Sequence, residues 1–287
     1  MNIIIEPSNK KIDDYVKAGI NTFLLPLKDY SVEHNTYFSL DEIEYLASNY
    51  SDLDIYVSIN KNIFNRELKD LEKILTTLNS FNIKGVFFYD IAILSIKNKL
   101  NLKFDLVWNQ TFMVTNYKTC NYYNSKGVKY ALLSKEITKD EIIEIINNTS
   151  ISPIVELISM PIVAFSKRKL VTNYYKNYNL ENKSSLEVLE NKSKQKYILN
   201  EDINGTSFTL NKITNGCIIL EELICNGLQN MLLKEDHINH DIFLELLKNI
   251  KLFLNNDINN KEFVKRQNEL IGRNTNFFYR KTIYKVK

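Results

Sequence analysis

Thiols are scarce in this chain. Its three cysteines, Cys120, Cys217 and Cys225, are odd in number and widely spaced, and no C-x-x-C occurs. That argues against a disulfide framework and fits a reducing cytosol. Long apolar runs are missing too: no stretch approaches the length that spans a bilayer, and the N-terminus lacks the basic flank and small-residue cleavage site of a signal peptide. A cytoplasmic protein with no membrane contact is expected. Neither charge dominates, since 37 Lys and Arg against 34 Asp and Glu leave a net +3. Non-specific nucleic-acid binding through overall charge is therefore not implied, whereas a local basic patch is still compatible with it. Glycine and proline number only 7 and 4. With Asn, Lys and Ile abundant, this reads as the imprint of AT-rich coding, so runs of Asn carry little functional information. A visible catalytic set is absent as well: no activated nucleophile, metal triad or paired perturbed acids stand out.

What is present is an alternation. Short apolar segments at Asn2–Glu6, Thr22–Leu25, Asp54–Ile59 and Gly85–Asp90 read as strands, closed by Pro7, Pro26, Asn60 and the acid Asp90 itself. Leu106-Val107-Trp108-Asn109, Gly127–Leu133, Ser150–Met160 and Leu228–Lys234 complete the set. Between them, helices are expected at Asn9–Ala18, Ser39–Asn49, Arg66–Asn79, Asn116–Ser125, Thr138–Asn148, Cys217–Asn226 and His240–Asn255. Ser39 before Asp41 and Glu42 is the clearest start, because its hydroxyl can cap free N–H groups while the acids suit the helix dipole. After the seventh strand the rhythm breaks. Residues 176–215 are polar and contain an expected hairpin, Lys196–Asn200 and Thr206–Leu210 around Asn204-Gly205. The length suits one α/β domain over 1–287 with a C-terminal tail at 270–287. The economical fold is a TIM-like (β/α)8 barrel with an insertion after strand seven; a doubly wound open sheet is the alternative.

In such a barrel the C-terminal strand ends carry the site. Glu6, Asn60, Asp90, Asn109 and Glu136 fall there, and Trp108 offers a base-stacking platform, against the blander reading of a partly buried core residue. Lys167, Arg168, Lys169, Tyr174, Tyr175, Lys176 and Tyr178 combine cations with aromatic faces, which suits phosphate contact plus stacking, although a solvated loop has the same composition. His34 reads as a loop residue, His237 and His240 as a solvated connection or the N-terminal residues of a helix, and the cysteines as small semi-buried thiols.

Many weak motifs in order point further: Glu6-Pro7 then Ala18-Gly19, Tyr56-Val57-Ser58-Ile59-Asn60, Asp90, Trp108-Asn109, Thr115-Asn116-Tyr117, Lys135-Glu136-Ile137, Ser166-Lys167-Arg168 with Asn173-Tyr174, Asn204-Gly205-Thr206, and Thr275–Tyr279. Together they resemble the collagenase-like peptidase family U32 over nearly the whole chain. The resemblance implies a substrate-binding set of Glu6, Asn60, Asp90, Trp108, Asn109, Asn116, Glu136, Lys167, Arg168, Asn173 and Tyr174, with no catalytic residue or metal ligand assigned. It also implies an accessory, non-catalytic subunit in tRNA wobble-uridine 5-hydroxylation. Its partners would be tRNA and a larger homologue that carries an iron–sulfur cluster on four cysteines. The family's peptidase label gives the alternative, a free-standing hydrolase. This chain departs from the family where the chemistry would sit: the expected His-Gly falls on Ile158-Ser159 and an expected cysteine on Lys169. No cofactor is therefore expected in this chain.

Overall fold

The computed structural model describes residues 1–279 except 182 and 184. Eight parallel strands close on themselves: β1 (Asn2–Glu6), β2 (Thr22–Pro26), β3 (Asp54–Ile59), β4 (Gly85–Phe88), β5 (Asp105–Trp108), β6 (Tyr130–Leu132), β7 (Ser152–Ser159) and, after the insertion, β13 (Asn230–Lys234). β1 pairs with β2 on one side and β13 on the other, while β7 pairs with both β6 and β13, so the sheet has no parallel edge. This is the (β/α)8 barrel, not the open sheet. Helices α1 (Ile12–Lys17), α2 (Leu40–Asn49), α3 (Leu68–Ser80), α4 (Ala92–Leu100), α5 (Tyr117–Ser125) and α6 (Lys139–Asn148) each follow a strand. Their starts are written locally. Ser39 and Thr138 form capping boxes with Glu42 and Glu141, and the Asn116 side chain accepts from the Thr119 N–H. Asn101 closes α4 in the left-handed conformation that Asn tolerates.

The barrel interior is filled by one apolar side chain from each strand: Ile4, Leu24, Tyr56, Phe87, Val107, Leu132, Ile154 and Leu232. The larger core lies outside, between strands and helices, and includes Trp108, Phe88, Leu106 and Leu233. Tyr56 fits inside because its register partner is Gly85, where a Cβ would sit 2.8 Å from the Tyr56 ring.

Beyond β7 the chain leaves the barrel. β8 (Ile162–Ser166), β9 (Ser185–Leu189), β10 (Lys196–Asp202) and β11 (Gly205–Leu210) form an antiparallel sheet in the order β8-β11-β10-β9. Helix α7 (Leu170–Asn177) packs Val171 and Tyr175 on Leu199 of that sheet. The hairpin at Asn204-Gly205 pairs Tyr197 with Leu210 through to Asp202 with Gly205. A Cβ on Gly205 would stand 2.1 Å from the Ser166 carbonyl oxygen, so the close approach of hairpin tip and β8 requires glycine there. Strand β12 (Thr214–Asn215) runs antiparallel on β7, and α8 (Cys217–Cys225) then leads into β13, followed by α9 (His240–Leu254) and α10 (Asn260–Ile271). Of the expected tail, 270 and 271 end α10, and Phe278 is buried with its carbonyl accepting the Lys139 N–H at 2.9 Å; residues 280–287 lie outside the described residues. Among the described residues no helix is long and apolar enough to cross a membrane.

Candidate functional site

Side chains two residues apart on a strand share a face. Whatever follows the apolar plug by two positions therefore occupies the next layer towards the C-terminal mouth. Ile4 is followed by Glu6, Tyr56 by Ser58, Val107 by Asn109, Ile154 by Glu156 and Leu232 by Lys234. A hydrocarbon layer is thus capped by a buried polar one. Glu6 and Lys234 are register partners, and Lys234 Nζ stands 2.9 Å from Glu6 Oε2 and 3.8 Å from Glu156 Oε2. Lys135, from the loop after β6, reaches Glu156 Oε1 at 2.8 Å. His34, from the loop after β2, places Nδ1 2.6 Å from Glu6 Oε1 and Nε2 3.4 Å from Ser58 Oγ. Asn60 holds that loop by accepting the Val32 N–H at 2.8 Å and donating to the Val32 carbonyl at 2.9 Å. Asp236, just past β13, accepts the Met160 N–H at 2.5 Å and so ties the mouth to the start of the inserted sheet.

Burial opposes ionisation of Glu6, but His34 and Lys234 outweigh it and hold the carboxyl down at about 2. Glu156 goes the same way: burial is overcome by Lys135 and Lys234, and its carboxyl lies below the ordinary range. For Lys234 burial disfavours the charge, yet Glu6, Glu156 and Asp236 carry its ammonium above the ordinary range. The alternating charges hold one another ionised, so Lys234 is a fixed cation with no free amine for nucleophilic attack. Asp236 differs. Burial pushes it up, Lys234 offsets part of that, and Glu6 adds to it, leaving its carboxyl at about 7, the range useful for moving a proton.

Ser58, His34 and Glu6 stand in the order of a serine–histidine–carboxylate relay. Ser58 is fully buried and lines none of the three cavities at this mouth, so a scissile carbonyl has no path to it. A second network has the wrong order for that chemistry. The buried Glu235 carboxylate accepts from the Ser8 N–H at 2.8 Å, Ser8 Oγ at 2.6 Å and Tyr15 OH at 2.5 Å, and His240 Nδ1 lies 2.7 Å away. The acid sits between serine and imidazole, and its role is to lock the end of β13 to the loop after β1. His240 is the first residue of α9, one of the two places expected for it, and its ring joins this lock.

Of the residues singled out in the sequence, Glu6, Asn60 and Asn109 come together at the mouth; Asn60 and Asn109 line a cavity of about 30 Å³ with His34, Lys135, Glu156 and Lys234. Asp90 spends both oxygens on the backbone, accepting from Ala92 N–H at 2.9 Å and Ile63 N–H at 3.0 Å. Trp108 is not at the mouth. It follows the inward-pointing Val107, so it faces the helices, 1% exposed and stacked on Tyr123 at 4.1 Å. Asn116 is the cap of α5, and Glu136 points to solvent beside Lys135, which makes the inward contact. Arg168 is exposed before α7; Asn173 and Tyr174 lie on the outer face of α7, where the Tyr174 and Tyr178 rings are 4.9 Å apart, whereas Tyr175 is buried. Lys135, Glu156, Lys234 and Asp236 are not among the residues the sequence picks out, and His34, which it reads only as a loop residue, is buried against Glu6. A usable signal existed for Glu156, a carboxylate inside Ile154-Val155-Glu156-Leu157-Ile158, and for Lys234 after Met231-Leu232-Leu233: a charge in a buried strand needs a partner.

The thiols do not fit an iron–sulfur cluster. Cys120 is buried in α5, Cys217 and Cys225 stand at opposite ends of α8, and no group of three or more His, Cys, Asp or Glu among the described residues is placed to hold a metal ion.

Above the polar layer, the loops after β2, β3, β4 and β5 face the inserted sheet across a cleft of about 530 Å³. Phe64 and Phe112 line it and are 50% and 55% exposed, with Arg66, Lys61 and Lys167 among them. Lys167 Nζ lies 4.6 Å from the Phe64 ring centre. Glu33, Asn60, Thr111 and Ile162 form a wall shared by the cleft and the smaller cavity beneath.

A closed βα barrel with a charged layer at its C-terminal mouth, roofed by a sheet inserted after the seventh strand, is thus the class of protein at hand. The sequence model of peptidase family U32 matches residues 8–229, and the chain belongs to that family. It is 25% identical to "tRNA hydroxylation protein P2" of Bacillus subtilis (strain 168) over 305 aligned positions, covering 98% of each chain. It is also 32% identical over 94 residues to "Uncharacterized protease MJ0090" of Methanocaldococcus jannaschii, 33% of this chain and 22% of that one. Among solved structures the U32 peptidase Mk0906 superposes with a TM-score of 0.47 at 13% identity, over 62% of this chain and 75% of its own.

Proposed function

We propose that this chain is an accessory subunit in the 5-hydroxylation of tRNA wobble uridine, working in the cytoplasm beside a larger homologue that carries the iron–sulfur cluster. The observation that carries this reading is the end-to-end likeness to tRNA hydroxylation protein P2, 98% of both chains. Two features of the site support it. Glu6, Glu156 and Lys234 hold one another ionised, Asp236 beside them is a proton-transfer group and not a nucleophile, and the thiols stand apart from one another, which favours binding and assembly as the tasks of this subunit. Arg168, Asn173, Tyr174 and Lys176, exposed at and along α7, offer a further basic and aromatic surface for RNA.

The test is mass spectrometry of tRNA nucleosides from a deletion strain, with 5-hydroxyuridine and its derivatives expected to fall and to return on complementation; unchanged levels overturn the reading. Replacing Lys167, Arg168 and Lys176 together by Ala should lower the log–log salt slope of tRNA binding by roughly 2 to 3, since each phosphate contact contributes about 0.7 to 0.9. The peptidase reading is favoured by one observation, the Ser58–His34–Glu6 order. It requires the purified protein to cleave peptides unaided and Ser58→Ala to abolish that cleavage.

A further inference from the structure

We propose that the cleft between the barrel mouth and the inserted sheet is a slot for one unstacked RNA base, flanked by Phe64 and Phe112, with the adjoining phosphate held by Arg66 and Lys167. The inference rests on the RNA role argued above and adds the site. Three independent observations converge on it. Exposed aromatic rings on a soluble protein expose apolar area at a cost, and here two, from different barrel loops, open onto the same space. At about 530 Å³ the cleft lies within the roughly 300–1,000 Å³ of small-ligand sites, large enough for a nucleotide and too confined for a duplex. Its cations are not tied up in ion pairs: among the described residues Arg66 and Lys167 make none and lie over the Phe64 ring, 5.7 and 4.6 Å from its centre, from where an entering base would displace them towards its phosphate, whereas the nearby acid Glu67 is neutralised by Lys61 at 2.9 Å. The base edge would face Glu33 and Thr111 on the wall shared with the inner cavity. A carboxylate accepts hydrogen bonds and offers none, so it can receive an N–H of the base's pairing edge, the uracil imide among them.

The roof belongs to the slot as well. Ile203 and Asn204, at the tip of the β10–β11 hairpin, line the same cleft, and the tip is pinned to the barrel where Tyr37 OH donates to Asp202 Oδ2 at 3.3 Å. The insertion thereby sets the height of the cleft.

The experiment measures binding of a fluorescein-labelled, unmodified tRNA transcript to the full chain by anisotropy across a salt series. Phe64→Ala and Phe112→Ala should each weaken binding about 5- to 150-fold, the cost of losing one base stack, with an unchanged salt slope. Phe64→Tyr, which keeps the ring, should bind as the parent does. Arg66→Ala should lower the slope by about 0.7. Tyr45→Ala, which removes an exposed ring of α2 that lines a separate hollow with Lys10 and Tyr50, should change nothing. Urea unfolding of each variant separates lost binding from lost folding. If the parent binds and both Phe→Ala variants bind equally well, or if the parent binds no tRNA, the slot is overturned; the accessory role stands or falls separately, on the nucleoside levels of the deletion strain.

Discussion

Replacing Lys234 by Met tests the charged layer most directly. Methionine keeps the unbranched, flexible shape but removes the ammonium that stands 2.9 Å from Glu6 and 3.8 Å from Glu156. At an effective dielectric of about 20 these two attractions are gross terms of about 6 and about 4 kcal/mol. Most of that offsets the cost of desolvating three charges, and each carboxylate keeps one partner, His34 or Lys135. The net loss expected is about 3 to 5 kcal/mol, the usual consequence of stranding a buried charge. The pH dependence carries the diagnosis. In the parent, Glu6 is depressed from 4.5 to about 2, so its stabilising contribution is complete above about pH 5 and is lost as pH falls towards 2. Without Lys234 both carboxyls titrate higher, and protonation relieves the strain. The deficit of Lys234→Met should therefore be full near pH 7 and shrink towards about pH 4 in urea unfolding. Adding Glu156→Gln should cost less than the two single losses combined, because one stranded charge is gone. A loss under about 1 kcal/mol, or one that does not vary with pH over that range, would refute the account.

Three further outcomes follow from the same geometry. Asp236 is raised from 3.8 to about 7, so the folded state holds a proton that the unfolded chain has released, and the parent loses stability as pH climbs through that window. Asp236→Asn, which suits the local φ of 45° and keeps an acceptor for Met160, should be more stable than the parent above about pH 7, by at most about 4 kcal/mol, and equal to it below about pH 4; a pH-independent difference would count against it. Trp108→Ala should cost about 3 to 5 kcal/mol in urea while the folded protein keeps its tRNA affinity, and the opposite pattern would return Trp108 to the mouth. With a thiol reagent at neutral pH, exposed Cys225 should react first. Burial pushes the Cys120 and Cys217 thiols up to about 11 and about 12, so they should wait for denaturant; equal rates for all three would contradict this packing.

The alternation of short apolar strands with helices was enough to specify the barrel, because each βα unit is a local statement: an apolar run, a polar exit and a helical segment, whose start at α2, α5, α6 and α9 is marked by a Ser, Thr or Asn cap. The Asn204-Gly205 hairpin was equally local. Helices α4, α7 and α10 escaped that reading, since α4 begins without a side-chain cap and α7 is set by packing on the inserted sheet. Facing was harder. Leu106-Val107-Trp108 is apolar throughout because both faces of a barrel strand are buried, so period alone cannot say which residue points inward; closure turns Val107 in and sends Trp108 out to Tyr123. The charged layer is the extreme case. Glu6, His34, Lys135, Glu156 and Lys234 are spread along the chain from the first strand to the eighth barrel strand. Only the pairing of β1 and β7 with β13 puts Lys234 within 4 Å of both Glu6 and Glu156, where burial makes partners obligatory. Sequence determines which residues must find a partner; the closed sheet decides which partner each one meets, because burial is a local cost and pairing is a property of the whole ring.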